Sequence, residues 1–202
     1  MRNKITAPEL ILIAILALVL NSCCCHRLPK EFSEIETIVS EHPDSALAMI
    51  DSIDTLSLKS VRSKAEYALL RAKCLDKNHI DDGIFLKQLK KYDSYFIRRA
   101  SVEKRMLYGY YLADLYYDAG EYEEASIWFL ETLDYATEIE DWFYAGQSSW
   151  SLAVIYLKTF NYAEELKYIG QAYDCLLKGG FDYYADYAEV ELAEAWLKKR
   201  FG

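Results

Sequence analysis

A five-residue pattern returns three times at one fixed interval. Leu112-Ala113-Asp114-Leu115-Tyr116 is matched by Leu152-Ala153-Val154-Ile155-Tyr156 and again by Leu192-Ala193-Glu194-Ala195-Trp196, so the copies stand 40 residues apart. A constant internal period of this size marks a supersecondary unit stacked on copies of itself, since one such unit cannot bury its apolar face alone. Alanine suits a point where two helices come close, and the aromatic one turn later fills the space beside that contact. The segments that follow also recur. Glu121-Tyr122-Glu123-Glu124-Ala125 leads into Trp128, Phe129 and Leu133, and Asn161-Tyr162-Ala163-Glu164-Glu165 leads into Leu166, Ile169 and Ala172. Gly120 sits where the first helix must stop and turn. With only three prolines and eight glycines in 202 residues, the chain has few breaks and favours long helices.

Upstream of the repeats the period is still helical. Phe32, Ile35, Ile38 and Val39 share a face. His42-Pro43-Asp44-Ser45 breaks the chain, because proline disfavours helix at the residue before it, and Asp44 or Ser45 can cap the helix that restarts. Ala46, Leu47, Ile50 and Ile53 form the next stripe. A longer amphipathic stretch runs from Leu58 to Lys77 with Val61, Ala65, Ala68, Leu69, Ala72 and Leu75 on its apolar side. A loop at 78–83, a helix from Ile84 to Ile97 and a link at 98–101 lead into the repeats. The expected fold is all-α, about nine helices arranged as a hairpin solenoid.

The repeats resemble the tetratricopeptide (TPR) family, whose pattern includes Gly or Ala, two residues, Tyr, then Ala, three residues, Phe. Ala113…Tyr116 and Ala125…Phe129 match it. The copy at Ala153 keeps Tyr156, but Glu165 and Ile169 replace the later Ala and Phe. Gly109, Ser149 and Glu189 stand at the early Trp/Leu position. A period of 40 in place of the usual 34 requires longer helices. The resemblance is clearest over 104–140 and 144–178, partial over 182–202, and looser elsewhere within a repeat domain of 31–202. It extends to bacterial TPR lipoproteins and to the periplasmic TPR regions of larger signalling regulators.

The first 30 residues read as an address. Arg2 and Lys4 precede an eleven-residue apolar run, Leu10 to Leu20, which is the form of a secretory signal over 1–22. A membrane-spanning helix would need about 20 apolar residues, and Pro8 and Glu9 block extension at the front. Leu20-Asn21-Ser22-Cys23 resembles the lipobox of bacterial lipoproteins. That resemblance implies cleavage before Cys23, lipidation of its thiol and a tether over 23–30. Cys24 and Cys25 adjoin it, and Cys23 fits the spacing. The implied location is the cell envelope, lipid-anchored at the outer membrane and facing the periplasm.

Several chemistries find no support. Without 1–22 the chain carries 21 basic and 31 acidic residues, a balance of −10 that disfavours nucleic-acid binding. His26, His42 and His79 lie in the tether or in predicted loops without metal-ligand spacing. No Gly-x-Ser-x-Gly, P-loop or Gly-x-Gly-x-x-Gly motif occurs. Glu123-Glu124 and Glu164-Glu165 repeat with the fold and read as a solvated helix face. Cys74 and Cys175 read as buried apolar packers. No enzyme activity, cofactor or metal is expected.

Where the family's geometry holds, the first helix of each unit lines a concave groove. The resemblance then places Tyr110, Asp114, Tyr117 and Asp118 on the groove side of one unit and Gln147, Trp150, Val154, Leu157 and Lys158 on that of the next. In the last helix Tyr187, Glu194 and Lys198 correspond. Tyr110, Asp114, Tyr117, Trp150 and Lys158 are the candidate contacts for a protein or peptide partner, since Tyr and Trp dominate binding hot spots. The competing assignment for these aromatics is packing between long helices. The implied function is a membrane-tethered scaffold. A sensor fragment of a truncated TPR-containing regulator is the alternative, and a carbohydrate-capturing lipoprotein is a third class.

Overall fold

The computed structural model describes residues 28–80 and 83–201. The signal over 1–22, Cys23 and the tether to residue 27 lie outside the described residues. Among those described there are ten α-helices and no strand. They are α1 (Lys30–Ile38), α2 (Pro43–Asp51), α3 (Val61–Lys77), α4 (Gly83–Lys90), α5 (Asp93–Arg99), α6 (Val102–Asp118), α7 (Tyr122–Glu138), α8 (Trp142–Lys158), α9 (Tyr162–Lys178) and α10 (Asp182–Phe201). The tenth helix, beyond the nine expected, arises because Ile84 to Ile97 is two helices, α4 and α5, separated by a turn at Lys91 and Tyr92. Leu89 from the first and Phe96 from the second both reach the core.

The second half is regular in a way that the 40-residue period only half discloses. Helices α6 to α9 each have 17 residues. Successive starts at 102, 122, 142, 162 and 182 fall 20 residues apart, with three-residue connectors between them. The middle residue of each connector has a left-handed backbone: Gly120 (φ 76°), Glu140 (58°), Phe160 (59°) and Gly180 (75°). In the first connector Glu121 N–H donates to the Tyr116 carbonyl and Gly120 N–H to the Tyr117 carbonyl. The same pair recurs at Asp141/Ala136 with Glu140/Thr137, at Asn161/Tyr156 with Phe160/Leu157, and at Phe181/Leu176 with Gly180/Leu177. These are Schellman closures, which satisfy the last carbonyls of one helix and turn the chain into the next. Ser101, Asp141 and Asn161 then cap the starts of α6, α8 and α9 by accepting from backbone N–H groups. At α2 the expected Asp44 or Ser45 cap is not formed. His42 is the cap residue without a side-chain bond, and Pro43 opens the helix, where its preset φ fits and its missing N–H has no partner to lose.

Each helix from α6 to α10 packs chiefly on its neighbours in sequence, as a stack of antiparallel hairpins does. Within hairpins the backbones come very close. A Cβ on Gly146 would meet Leu176 at 2.5 Å, and one on Gly109 would meet Thr132 Oγ1 at 2.7 Å. Ala113 and Ala153 are buried as expected, but Ala193 is exposed. On α10 the buried residues are Ala185, Ala188 and Ala195, which face α9, and no described helix packs on the side of Ala193.

The core divides in two. A small cluster holds Phe32, Ile35, Val39, Ala46, Ile50 and Leu58 with Leu70 and Cys74 of α3. The large one runs from Ala65 and Leu69 on another face of α3 through to Ala195. Helix α3 is therefore shared. Lys104 of α6 adds a polar tie, reaching Glu36 at 2.9 Å and the buried Glu66 at 3.3 Å. Burial pushes the Lys104 pKa down, but the two carboxylates outweigh it and hold the ammonium above its usual value. Cys74 and Cys175 are buried free thiols. Burial pushes Cys74 up to about 11, so it is protonated and unreactive at neutral pH.

Candidate functional site

A hollow of about 400 Å³ opens on the first-helix side of the array. Four of its residues, Gln147, Trp150, Ser151 and Val154, follow an i, i+3, i+4, i+7 course and so form one stripe of α8. Asp114 and Tyr117, one turn apart on α6, face that stripe. Phe129 of α7 supplies the floor and is fully buried. Tyr184 of α10 closes the far side and leans on Phe143, with ring centroids 5.5 Å apart. The hairpin turns set this geometry. Equal helices joined by equal connectors bring α6, α8 and α10 onto one side at matching heights.

Three of the five candidate contacts, Asp114, Tyr117 and Trp150, line the hollow. Tyr110 does not. It is 8% exposed, in an aromatic layer behind the wall, with centroids 5.2 Å from Tyr111, 5.8 Å from Phe129 and 5.1 Å from Tyr144. Burial there, reinforced by the Asp76 carboxylate, holds the Tyr110 hydroxyl well above its ordinary pKa. Tyr111 and Tyr144 share the layer and join through their hydroxyls at 3.0 Å. Lys158 stands outside the hollow at its Tyr117 edge, with Nζ 4.8 Å from the Tyr117 ring and 5.6 Å from that of Tyr122. The Tyr117 hydroxyl, with that of Tyr122 to which Nζ donates at 3.5 Å, holds its ammonium above the usual value. Gln147 and Val154 line the site as the resemblance implied, and Tyr187 is exposed on α10.

Glu165 departs from expectation as well. Glu164-Glu165 reads as solvated in sequence, yet Glu165 is 4% exposed. It lines a narrow cleft that shares Trp150 and Val154 with the hollow and continues past Ile169 and Glu191. Its Oε1 accepts from Lys198 of α10 at 3.3 Å, while Oε2 accepts no hydrogen bond among the described residues. The signal was present in the spacing, because Glu165 stands 40 residues after the buried Ala125.

Among the described residues no group of His, Cys, Asp and Glu could hold a metal ion, and no helix is long and apolar enough to cross a membrane. The geometry defines a class: an all-helical stack of hairpins with an aromatic and acidic hollow on one side. No protein-family model matches the chain, and no characterised protein or solved structure matches it either.

Proposed function

We propose that this protein is a TPR-like scaffold, tethered to the envelope membrane through a lipid on Cys23, that binds a protein or peptide partner in the groove along α6, α8 and α10. One observation carries the reading: the hollow between these helices, with Tyr117, Trp150 and Tyr184 around it. Aromatic side chains offer large contact area at low entropic cost, and a recess of this size admits side chains of an extended or helical segment. The Leu-Ala-x-x-aromatic repeat supports kinship with the TPR family, and the Leu20-to-Cys23 motif supports the tether. The role is binding and not catalysis, which fits a site built from aromatic, amide and hydroxyl groups around a carboxylate.

The test is in-cell photocrosslinking from position 150, with position 123 on the exposed start of α7 as the comparison. A discrete adduct formed from 150 and missing from 123 is expected, with its partner identified by mass spectrometry. Identical adduct patterns from both positions would remove the groove. Incorporation of labelled fatty acid, lost in Cys23→Ala, checks the tether independently.

A further inference from the structure

We infer that the groove takes a basic segment, one whose arginine or lysine head group rests against Trp150 within reach of the Glu165 carboxylate. This rests on the groove reading and names its occupant. The first ground is Glu165 itself. A carboxylate replaces the small residue that the preceding hairpin buries at Ala125, and one of its oxygens has no donor among the described residues. An unsatisfied buried acceptor is costly to keep, and an incoming N–H would satisfy it. The second ground is charge. Asp114, Glu165 and Glu191 line the hollow and its adjoining cleft, and among the described residues no Lys or Arg lines either one; Lys198 pairs with one Glu165 oxygen at 3.3 Å from outside the lining, which leaves the balance acidic. An acidic segment would have to bury its carboxylates against these three, whereas a basic one meets complementary charge.

The third ground is the aromatic wall. Trp and Tyr faces attract cations through the ring quadrupole. The molecule already uses this attraction, with Lys178 Nζ 3.5 Å from the Trp142 ring centroid and Lys158 over Tyr117 at the groove's edge. Trp150 and Tyr184 extend the same chemistry along the groove, and a recess of about 400 Å³ accepts the flat guanidinium and its methylene stem.

The test selects dodecapeptides from a random display library on the full chain and keeps only binders that are lost on Trp150→Ala. The retained set is expected to be rich in Arg and Lys. Replacing its critical arginine by citrulline, which keeps the shape and removes the charge, is expected to weaken binding by about tenfold or more, the scale of one charge-assisted hydrogen bond. Glu165→Gln should weaken the arginine peptide by a similar factor and the citrulline peptide hardly at all. Glu191→Gln serves the same purpose if circular dichroism shows Glu165→Gln unfolded. Glu123→Gln removes equal charge outside the groove and should change nothing. A retained set without basic excess, or an arginine peptide indifferent to the groove carboxylates, overturns the basic occupant and leaves the groove standing. If no binder depends on Trp150, the groove reading fails and this inference fails with it.

Discussion

Residues 28–100 and 102–201 use the same material, amphipathic helix, and differ in punctuation. The first region has helices of 9, 9, 17, 8 and 7 residues joined by irregular links. The second has four helices of 17 and one of 20, and the last four of these are entered through the same three-residue turn. Unequal helices fold round one another and leave recesses of unrelated lining, one of about 590 Å³ beside α1 and α3 and one of about 330 Å³ between α3 and α4. Equal helices stack, and the stack brings the stripes of α6, α8 and α10 round one hollow. What the regular region adds is alignment: its hollow is walled by matching stripes of α6 and α8 and closed by α10.

The sharpest way to break this comparison is to empty each core in turn. Phe129→Ala removes a fully buried ring from the large cluster and should cost about 4 kcal/mol, lowering the urea midpoint of the whole transition. Phe32→Ala in the small cluster should act locally. Hydrogen exchange should show α1 and α2 opening while α7 to α9 stay protected. Uniform loss of protection in both variants would mean that α3 and Lys104 weld the two regions into one cooperative unit.

Alkaline pH bears on the same division, because the buried tyrosine layer belongs to the array. Burial raises Tyr110 and Tyr111 well above their ordinary values and Tyr144 to about 12. The unfolded chain releases those protons first, near pH 10. Above that, the folded state binds more protons than the unfolded, so stability falls as pH rises. Thermal melts should hold steady below about pH 9 and drop by roughly 5 °C or more towards pH 12. A flat profile would show that the layer is open to water.

Two glycines set the regions against each other. Gly146→Ala places a methyl against Leu176 across a closed hairpin and should cost about 2 kcal/mol despite alanine's better helix propensity. Gly83→Ala, at the start of α4, meets nothing within 4 Å and should stabilise by about 0.5–1 kcal/mol. Chemical denaturation of the pair decides it, and like signs would contradict the tight packing claimed for the array. Glu165→Ala restores the small residue of the preceding hairpin and should stabilise by about 1 kcal/mol, since it removes an unsatisfied buried carboxylate. A destabilised variant would mean that the Lys198 pair outweighs the orphaned oxygen.

Legibility in sequence follows the same boundary. The array is readable because Leu112, Leu152 and Leu192 repeat at a constant interval, and Asp114, Tyr117 and Trp150 follow once the resemblance to the TPR family says which face of the first helices turns to the groove. The split of Ile84 to Ile97 was not readable, because no Gly or Pro marks it and Lys91-Tyr92 turns only under tertiary constraint. Tyr110 was misplaced because helical spacing gives a direction without a depth. The side that faces a groove near its rim faces Tyr144 and Phe129 one layer in. Glu165 was hidden by its type, since paired glutamates are usually solvated.

The turns offer the smallest and most specific test. Four connectors share one backbone form, but only Gly120 and Gly180 meet it with glycine, while Glu140 and Phe160 hold φ near +60°. A side chain in the left-handed region costs about 1 kcal/mol, and glycine gives part of that back through its looser unfolded state. Phe160 is 76% exposed, so its ring contributes little packing to offset the strain. Phe160→Gly should therefore raise stability by a few tenths of a kcal/mol to about 1 kcal/mol. The same change at Ile139, one residue before a left-handed position, should lower it, because its backbone is right-handed at φ −97°. Equal effects at the two sites would show that turn geometry does not set the helix lengths, and the contrast between regular and irregular halves would then need another cause.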